Sequence, residues 1–139
     1  MSGPAVVIDA SVIVARLRPD DSGHLQARRI MGELRRGGTR LRFPAIALAE
    51  VASAVARGTG RTELGLRALT RLQSGPDTVA RSVDQALAER SAVLAATQLV
   101  RGCDAVYLAM AQDEGLPLLT FDREQQMRAP EGVPMVPLD

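Results

Sequence analysis

The sequence contains no lysine, no asparagine and no tryptophan, so all 17 of its basic residues are arginine. The missing lysine excludes P-loop enzymes, response-regulator receivers and haloacid-type phosphatases, because each of these needs a lysine at its phosphate site. The one histidine, His24, lies in a charged and polar stretch. We expect it to be a solvated helix residue rather than part of a Ser-His-Asp or Cys-His nucleophile system.

Cysteine and long apolar segments are equally scarce. With Cys103 as the only cysteine, the chain can form no internal disulfide and no cysteine-based zinc cluster, which suits a reducing cytoplasm. No segment approaches the roughly 20 apolar residues of a membrane span, and the N-terminus lacks the basic flank and the cleavable apolar stretch of a signal peptide. We therefore expect a soluble cytoplasmic protein with no membrane association.

The overall composition is that of an ordinary globular domain. The chain has 139 residues, of which 46% are hydrophobic and 24% are charged. A chain of this length buries roughly 68% of its unfolded surface, enough for one core without covalent support. No internal repeat or linker interrupts it, so we predict a single domain over residues 1–139.

Charge is distributed unevenly although the net charge is only +1. Residues 16–71 carry 12 arginines against 5 acidic residues, whereas residues 72–139 carry 5 arginines against 10 acidic residues. A basic half of this kind fits a surface that binds a polyanion, and solvated arginine-rich helices fit the same pattern.

The apolar pattern predicts strands alternating with helices. The predicted strands are residues 5–8, 41–43, 79–83, 117–120 and 133–138. The predicted helices are residues 11–17, 25–34, 45–56, 63–72 with Thr62 as its cap, 85–100 and 104–115. Short apolar strands separated by helices are typical of βαβ crossovers. We predict an α/β fold with a mainly parallel central sheet flanked by helices.

Four acidic residues lie at positions where a carboxylate needs an explanation. Asp9 and Asp122 follow predicted strands at the edge where parallel sheets bind ligands, although each could also be a helix cap. Glu50 interrupts an almost wholly apolar helix, so it must pair with an arginine, lie on a narrow exposed stripe, or bind a cation. Asp104 begins another apolar helix, where a cap is again the alternative.

A shared divalent cation would explain all four acids together. Mg²⁺, or alternatively Mn²⁺, takes carboxylate oxygens, and the sequence offers no imidazole or thiolate cluster that would favour zinc. A cation would also relieve the mutual repulsion of the carboxylates. With no lysine or catalytic histidine, water activated by the metal is the remaining nucleophile, which indicates phosphodiester hydrolysis.

Four segments resemble the successive motifs of PIN-domain ribonucleases, in the order of the VapC toxins of bacterial toxin–antitoxin pairs. They are VVID9AS11V, AE50VASAVAR57, CD104AVYLAMA111 and LLT120FD122. The resemblance implies a magnesium-dependent endoribonuclease with Asp9, Glu50, Asp104 and Asp122 as its catalytic and metal-binding acids, and Ser11 and Thr120 as supporting hydroxyls. It also implies a structured RNA substrate, a small antitoxin partner and a homodimer. The fourth motif departs from the pattern, because the apolar Phe121 precedes Asp122 and Glu124 follows as an alternative acid.

Residues outside the motifs suggest how RNA and partners are held. Arg16, Arg57 and Arg61 follow predicted elements in the basic half and are our candidates for binding RNA phosphates. The leucines between residues 64 and 72 predict an apolar interface, for which core packing is the alternative. Two rival interpretations remain, a catalytically idle PIN-like scaffold and a small-molecule binding domain. The second would need a glycine-rich loop after the first strand, where Asp9-Ala-Ser stands instead.

Overall fold

The computed structural model describes residues 3–139, which form four strands and seven helices. The strands are β1 (Ala5–Ile8), β2 (Arg40–Pro44), β3 (Thr78–Arg81) and β4 (Leu118–Leu119). The helices are α1 (Ala10–Leu17), α2 (His24–Arg36), α3 (Ile46–Thr59), α4 (Thr62–Ser74), α5 (Gln85–Gln98), α6 (Gly102–Glu114) and α7 (Arg123–Arg128).

All strand pairs in the sheet are parallel, in the order β3-β2-β1-β4. β1 lies inside the sheet, with Val6 opposite Leu41 of β2 and Ile8 opposite Leu119 of β4. Because parallel strands end at one edge, the segments after β1, β2 and β4 emerge side by side. The predicted α/β class with a parallel sheet is confirmed.

Helices cover both faces of the sheet, since alternate side chains of a strand point to opposite faces. Ile8, Leu41 and Phe43 face a small cavity bordered by α1, α2 and α4. On the other face α6 packs against β1 and β2 and places Glu114 against Arg42. The core is aliphatic, with Phe43 and Tyr107 as its large buried aromatic side chains.

Several local predictions were wrong. Residues 133–138 are not a strand: they join β4 only through an isolated bridge at Met135, because prolines 134 and 137 have no backbone N–H to donate. β3 ends at Arg81, and Thr62 is the first residue of α4 rather than its cap. The pattern also missed α7, a helix of six residues without an apolar stripe long enough to be recognised.

Two single residues also differ from expectation. The Nδ1 atom of His24 lies 2.8 Å from the carbonyl oxygen of Ala15, so the imidazole joins α2 to α1 instead of standing in solvent. Cys103 is exposed in the first turn of α6, although cysteine side chains are more often buried. No single helix within residues 3–139 is long and apolar enough to cross a membrane. Only α5 and α6 taken together meet those criteria, and they are bent by 111° relative to each other.

Candidate active site

Asp9 lies directly after β1 and caps helix α1. Its Oδ2 atom accepts a hydrogen bond from the backbone N–H of Ser11 at 2.9 Å, and its residue is only 6% exposed. The side-chain amide of Gln125 donates to the other carboxylate oxygen at 3.3 Å. The cap predicted as an alternative is therefore present, and it holds the carboxylate at the edge of the sheet.

Gln125 of α7 is the buried centre of a hydrogen-bond network beneath this edge. The residue is completely buried, and its Oε1 atom accepts from the Thr120 hydroxyl at 2.6 Å. Its Nε2 atom donates to Asp9 and to the carbonyl oxygen of Asp104, each at 3.3 Å. One amide side chain thus ties together α1, α6 and the segment after β4.

Asp122 caps α7, accepting from the backbone N–H groups of Glu124 and Gln125 through Oδ1. Its Oδ2 atom lies 3.3 Å from the Nη2 atom of Arg101. Thr120 accepts from the backbone N–H of Asp122 at 3.0 Å. The buried Thr120 hydroxyl therefore positions the loop that carries Asp122.

The Ser11 hydroxyl joins the first helix to the same loop, accepting from the backbone N–H of Phe121 at 3.2 Å. Ser11 and Thr120 were predicted to support a bound cation. Their observed hydrogen bonds run to the loop between β4 and α7, so in this arrangement both hydroxyls hold that loop in place.

Glu50 lies in the second turn of α3 and accepts a hydrogen bond from the Tyr107 hydroxyl at 2.6 Å. Burial raises the pKa of the Glu50 carboxyl, the Tyr107 hydroxyl opposes that rise, and the nearby charges of Asp9 and Asp104 add to it. Burial and the Glu50 carboxylate likewise raise the pKa of Tyr107, which keeps the phenol protonated as a donor. Of the three explanations offered for Glu50, pairing with an arginine is not observed among residues 3–139.

Asp104 lies in the first turn of α6 but is not its cap. Its Oδ2 atom is 3.0 Å from the Nε atom of Arg101, and its side chain is 14% exposed. Burial raises the pKa of Asp104, Arg101 lowers it, and Asp122 and Asp9 raise it again. Arg101 thus bridges two of the predicted acids, Asp104 and Asp122.

The structure brings all four predicted acids to one edge of the sheet. The pKa values of Glu50 and Asp104 both respond to the charge of Asp9, and that of Asp104 also responds to Asp122. The donors are all carboxylate oxygens, which fits Mg²⁺ or Mn²⁺. Within residues 3–139, however, no three such side chains are gathered closely enough to hold one ion, and Arg101 holds two of the acids instead. The residues fit a cation in their donor chemistry, and Arg101 is a competing counter-ion for two of them.

Two openings in the surface adjoin Glu50. A depression of about 570 Å³ lies beside Glu50 and Ser11, with the Phe121 ring as part of its wall. A second opening of about 550 Å³ continues along α3 from Glu50 to Arg57. Both openings are lined by Glu50, so together they form one groove along α3 beside that carboxylate.

The three candidate arginines occupy different places. Arg57 borders the groove beside Glu50 and is exposed. Arg61 forms an exposed ion pair with Glu63 at 2.7 Å. Arg16 borders the separate cavity under α1, α2 and α4, where burial and three neighbouring arginines (Arg28, Arg71 and Arg35) lower its pKa.

Sequence reasoning missed three residues of the site. Gln125, Tyr107 and Arg101 hold the predicted acids, and none carried a signal beyond its place near a motif. Asp113 and Glu114, at the end of α6, form ion pairs with arginines of β2, β3 and α5: Glu114 with Arg42 and Arg81, and Asp113 with Arg81 and Arg90.

Comparison with known proteins agrees with this architecture. VapC20 of Mycobacterium tuberculosis, a sarcin–ricin loop cleaving toxin, is similar with a TM-score of 0.78 and 16% identity, over 93% of this chain and 98% of that chain. VapBC2 from Rickettsia felis, bound to a promoter DNA fragment, is similar with a TM-score of 0.72 and 13% identity, over 95% of this chain and 97% of that chain. A toxin–antitoxin complex from Klebsiella pneumoniae is similar with a TM-score of 0.67 and 21% identity, over 96% of this chain and 98% of that chain. No curated protein matches the sequence significantly.

The sequence also matches a family model. The model is described as the PIN domain, and it matches residues 6–130, which include all four acids. The resemblance expected from the motifs is therefore confirmed, and the chain belongs to the PIN domain family and shares the fold of the VapC toxins.

Proposed function

We propose that this chain is a divalent-metal-dependent endoribonuclease of the VapC toxin type. Its catalytic and metal-binding acids would be Asp9, Glu50, Asp104 and Asp122. The observation that carries the proposal is their convergence at one sheet edge, where burial and mutual repulsion raise the pKa of Glu50 and Asp104. A carboxylate cluster with this electrostatic cost favours cation binding, and catalytic sites are where such costs concentrate.

The chain's own residues prepare the site for hydrolysis. Mg²⁺ or Mn²⁺ held by the acids would polarise the phosphodiester and activate the attacking water. Gln125 and the backbone of Ser11 orient the Asp9 carboxylate, and Tyr107 orients that of Glu50. Oriented acids of this kind need little rearrangement when substrate and cation bind.

RNA binding is proposed for the groove between Glu50 and Arg57. Arg57 is exposed, borders this groove and forms no ion pair among residues 3–139, so its guanidinium is free for a phosphate. Arg61 is engaged by Glu63, and Arg16 lies at a different cavity, so both are weaker candidates.

This ranking predicts the salt dependence of binding. In an Asp9→Asn protein with a short single-stranded RNA, Arg57→Gln should reduce the salt slope by about 0.7, and Arg61→Gln and Arg16→Gln by less. Arg90→Gln is the matched control, because Arg90 is paired with Asp113 on another surface. Equal slopes for Arg57→Gln and Arg90→Gln would exclude the groove as the RNA path.

A cytoplasmic complex with a small antitoxin is proposed from the same likeness, since several of the similar structures are toxin–antitoxin complexes. A homodimer is proposed from α4, where Leu66 is 58% exposed. Size-exclusion chromatography with light scattering tests the dimer, and a monomer at all concentrations argues against it.

Cleavage of total cellular RNA tests the proposed activity. The purified chain should cleave RNA with Mg²⁺ and not with EDTA, and Asp9→Asn and Asp104→Asn should each abolish cleavage while remaining folded by circular dichroism. The idle scaffold interpretation predicts no cleavage by the parent under any of these conditions. Full cleavage by either variant would remove the acid cluster from the reaction.

A further inference from the structure

Arg101 lies at the N-terminal end of α6, where an arginine does not stabilise the helix. It is the residue immediately before α6, and its side chain makes no capping hydrogen bond. The N-terminus of a helix carries partial positive charge, which disfavours a cation there. Serine, threonine, aspartate or asparagine would cap the helix better. Its position is therefore unfavourable for α6 itself.

The guanidinium instead spans two acids of the candidate site. Its Nε atom is 3.0 Å from Oδ2 of Asp104, and an Nη2 is 3.3 Å from Oδ2 of Asp122. Glu124 is a third acid close enough to stabilise its charge. These two oxygens are donors that a divalent cation at this edge would use, so Arg101 and the cation compete for the same atoms.

The strength of these contacts is suited to exchange. The Arg101 side chain is 73% exposed. Ion pairs this exposed hold their partners only weakly, because water and salt screen them. A divalent cation with several carboxylate donors binds more strongly than that, and the flexible arginine side chain can turn into the adjoining solvent when it is displaced.

We infer that Arg101 is a movable counter-ion of the active site, which neutralises Asp104 and Asp122 until a divalent cation displaces it and then binds the RNA phosphodiester. This inference rests on the proposed nuclease function. A displaced guanidinium beside these acids can bind a phosphate through two parallel hydrogen bonds. The same residue would thus protect the acid cluster before substrate binding and hold the substrate afterwards.

Binding of Mn²⁺ to the purified chain tests the competition, by titration calorimetry without RNA. Arg101→Gln should bind Mn²⁺ at least about threefold more tightly than the parent, because the competing ion pairs are lost. Arg101→Lys, which keeps the charge, should stay closer to the parent. Arg123→Gln is the matched control, since Arg123 is exposed beside Asp122 but pairs with neither acid. Its affinity should stay within about twofold of the parent.

Cleavage measured against Mn²⁺ concentration tests the second step. Arg101→Gln should reach half of its maximal rate at lower Mn²⁺, while its maximal rate falls about tenfold or more because a phosphate contact is lost. A merely structural role would weaken metal binding and cleavage together. If the glutamine variant unfolds in a thermal melt, Arg101→Ala replaces it.

The outcomes separate this inference from the proposed function. Equal or weaker Mn²⁺ binding by a folded Arg101→Gln overturns the competition, and an unchanged maximal rate overturns the phosphate contact. If the parent binds no Mn²⁺ at all, the metal-dependent function itself fails and this inference fails with it. Tighter Mn²⁺ binding with slower cleavage is the one result that supports both steps.

Discussion

Replacing Gln125 by methionine is the most informative single change beneath the candidate site. Methionine keeps the length of the side chain but removes the amide, and Gln125 is completely buried. Three side-chain hydrogen bonds are lost: the 2.6 Å bond from Thr120 and the two 3.3 Å bonds to Asp9 and Asp104. The backbone N–H of residue 125 keeps its bond to Asp122.

The magnitude follows from these distances. The Thr120 hydroxyl loses its only acceptor in a buried position, which costs about 1–2 kcal/mol. The two longer bonds together contribute about 1 kcal/mol, because both are near the limit of hydrogen-bond length. We expect the free energy of unfolding to fall by about 2–3 kcal/mol, which lowers the melting temperature by about 8 °C for a domain of this size.

Urea unfolding of the parent and of Gln125→Met measures this loss. Gln126→Met is the matched control. The Gln126 side chain is only partly buried and donates a single hydrogen bond of 2.9 Å, to the carbonyl oxygen of Thr120. The control should lose about 1 kcal/mol or less. Mn²⁺ affinity should fall about tenfold in Gln125→Met alone, since a residue that orients a ligand is removed. Equal stability of the two variants would refute Gln125 as the centre of the network.

Three further changes follow from the structure. Gly65→Ala should lower the free energy of unfolding, measured in urea, by about 1–3 kcal/mol, because a Cβ there would lie 2.7 Å from the carbonyl oxygen of Ala52 and force α3 and α4 apart. Gly102→Ala is the control and should leave the free energy of unfolding unchanged, because a Cβ there would have no atom within 4 Å. Glu50→Gln should stabilise the metal-free chain at pH 7. Because the pKa of Glu50 is raised in the folded chain, the charged carboxylate opposes folding above that pKa. The difference in melting temperature from the parent should therefore disappear in thermal melts below the ordinary pKa of 4.5. If the difference persists at low pH, the charge is not its cause. Tyr107→Phe should raise the pKa of Glu50 further, because the carboxylate loses its hydrogen-bond donor. The pH midpoint of Mn²⁺ binding should then move upward in titrations at a series of pH values. An unmoved midpoint would show that the hydroxyl does not lower the pKa of Glu50.

Local sequence pattern was sufficient for the scaffold of this protein. The run Ala5–Ile8 is short and wholly apolar, so it had to be a buried strand, and an aspartate after it both caps the next helix and marks the ligand edge of a parallel sheet. Glu50, a carboxylate within the apolar helix α3, similarly required an arginine partner, an exposed position or a bound cation. These signals are local because strand and helix periodicities repeat within a few residues.

The sequence pattern did not predict contacts between residues that are distant along the chain, or elements too short to show a hydrophobic period. Gln125 reads as one polar residue in a short polar stretch, and only the fold places it against Asp9, 116 residues away along the chain. Glu114 reads as a solvated helix end, but arginines from β2 and β3, 72 and 33 residues away, neutralise it.

The sequence by itself thus determined the parallel α/β class, the strands β1 and β2 and the six longer helices, and it singled out the four acids. Tertiary structure alone decided how those acids are held: Tyr107 against Glu50, Gln125 under Asp9, and Arg101 between Asp104 and Asp122. The physical reason is that hydrophobic periodicity is written along the chain, whereas the partner of a polar group depends on which distant elements packing brings within 3 Å or so of it.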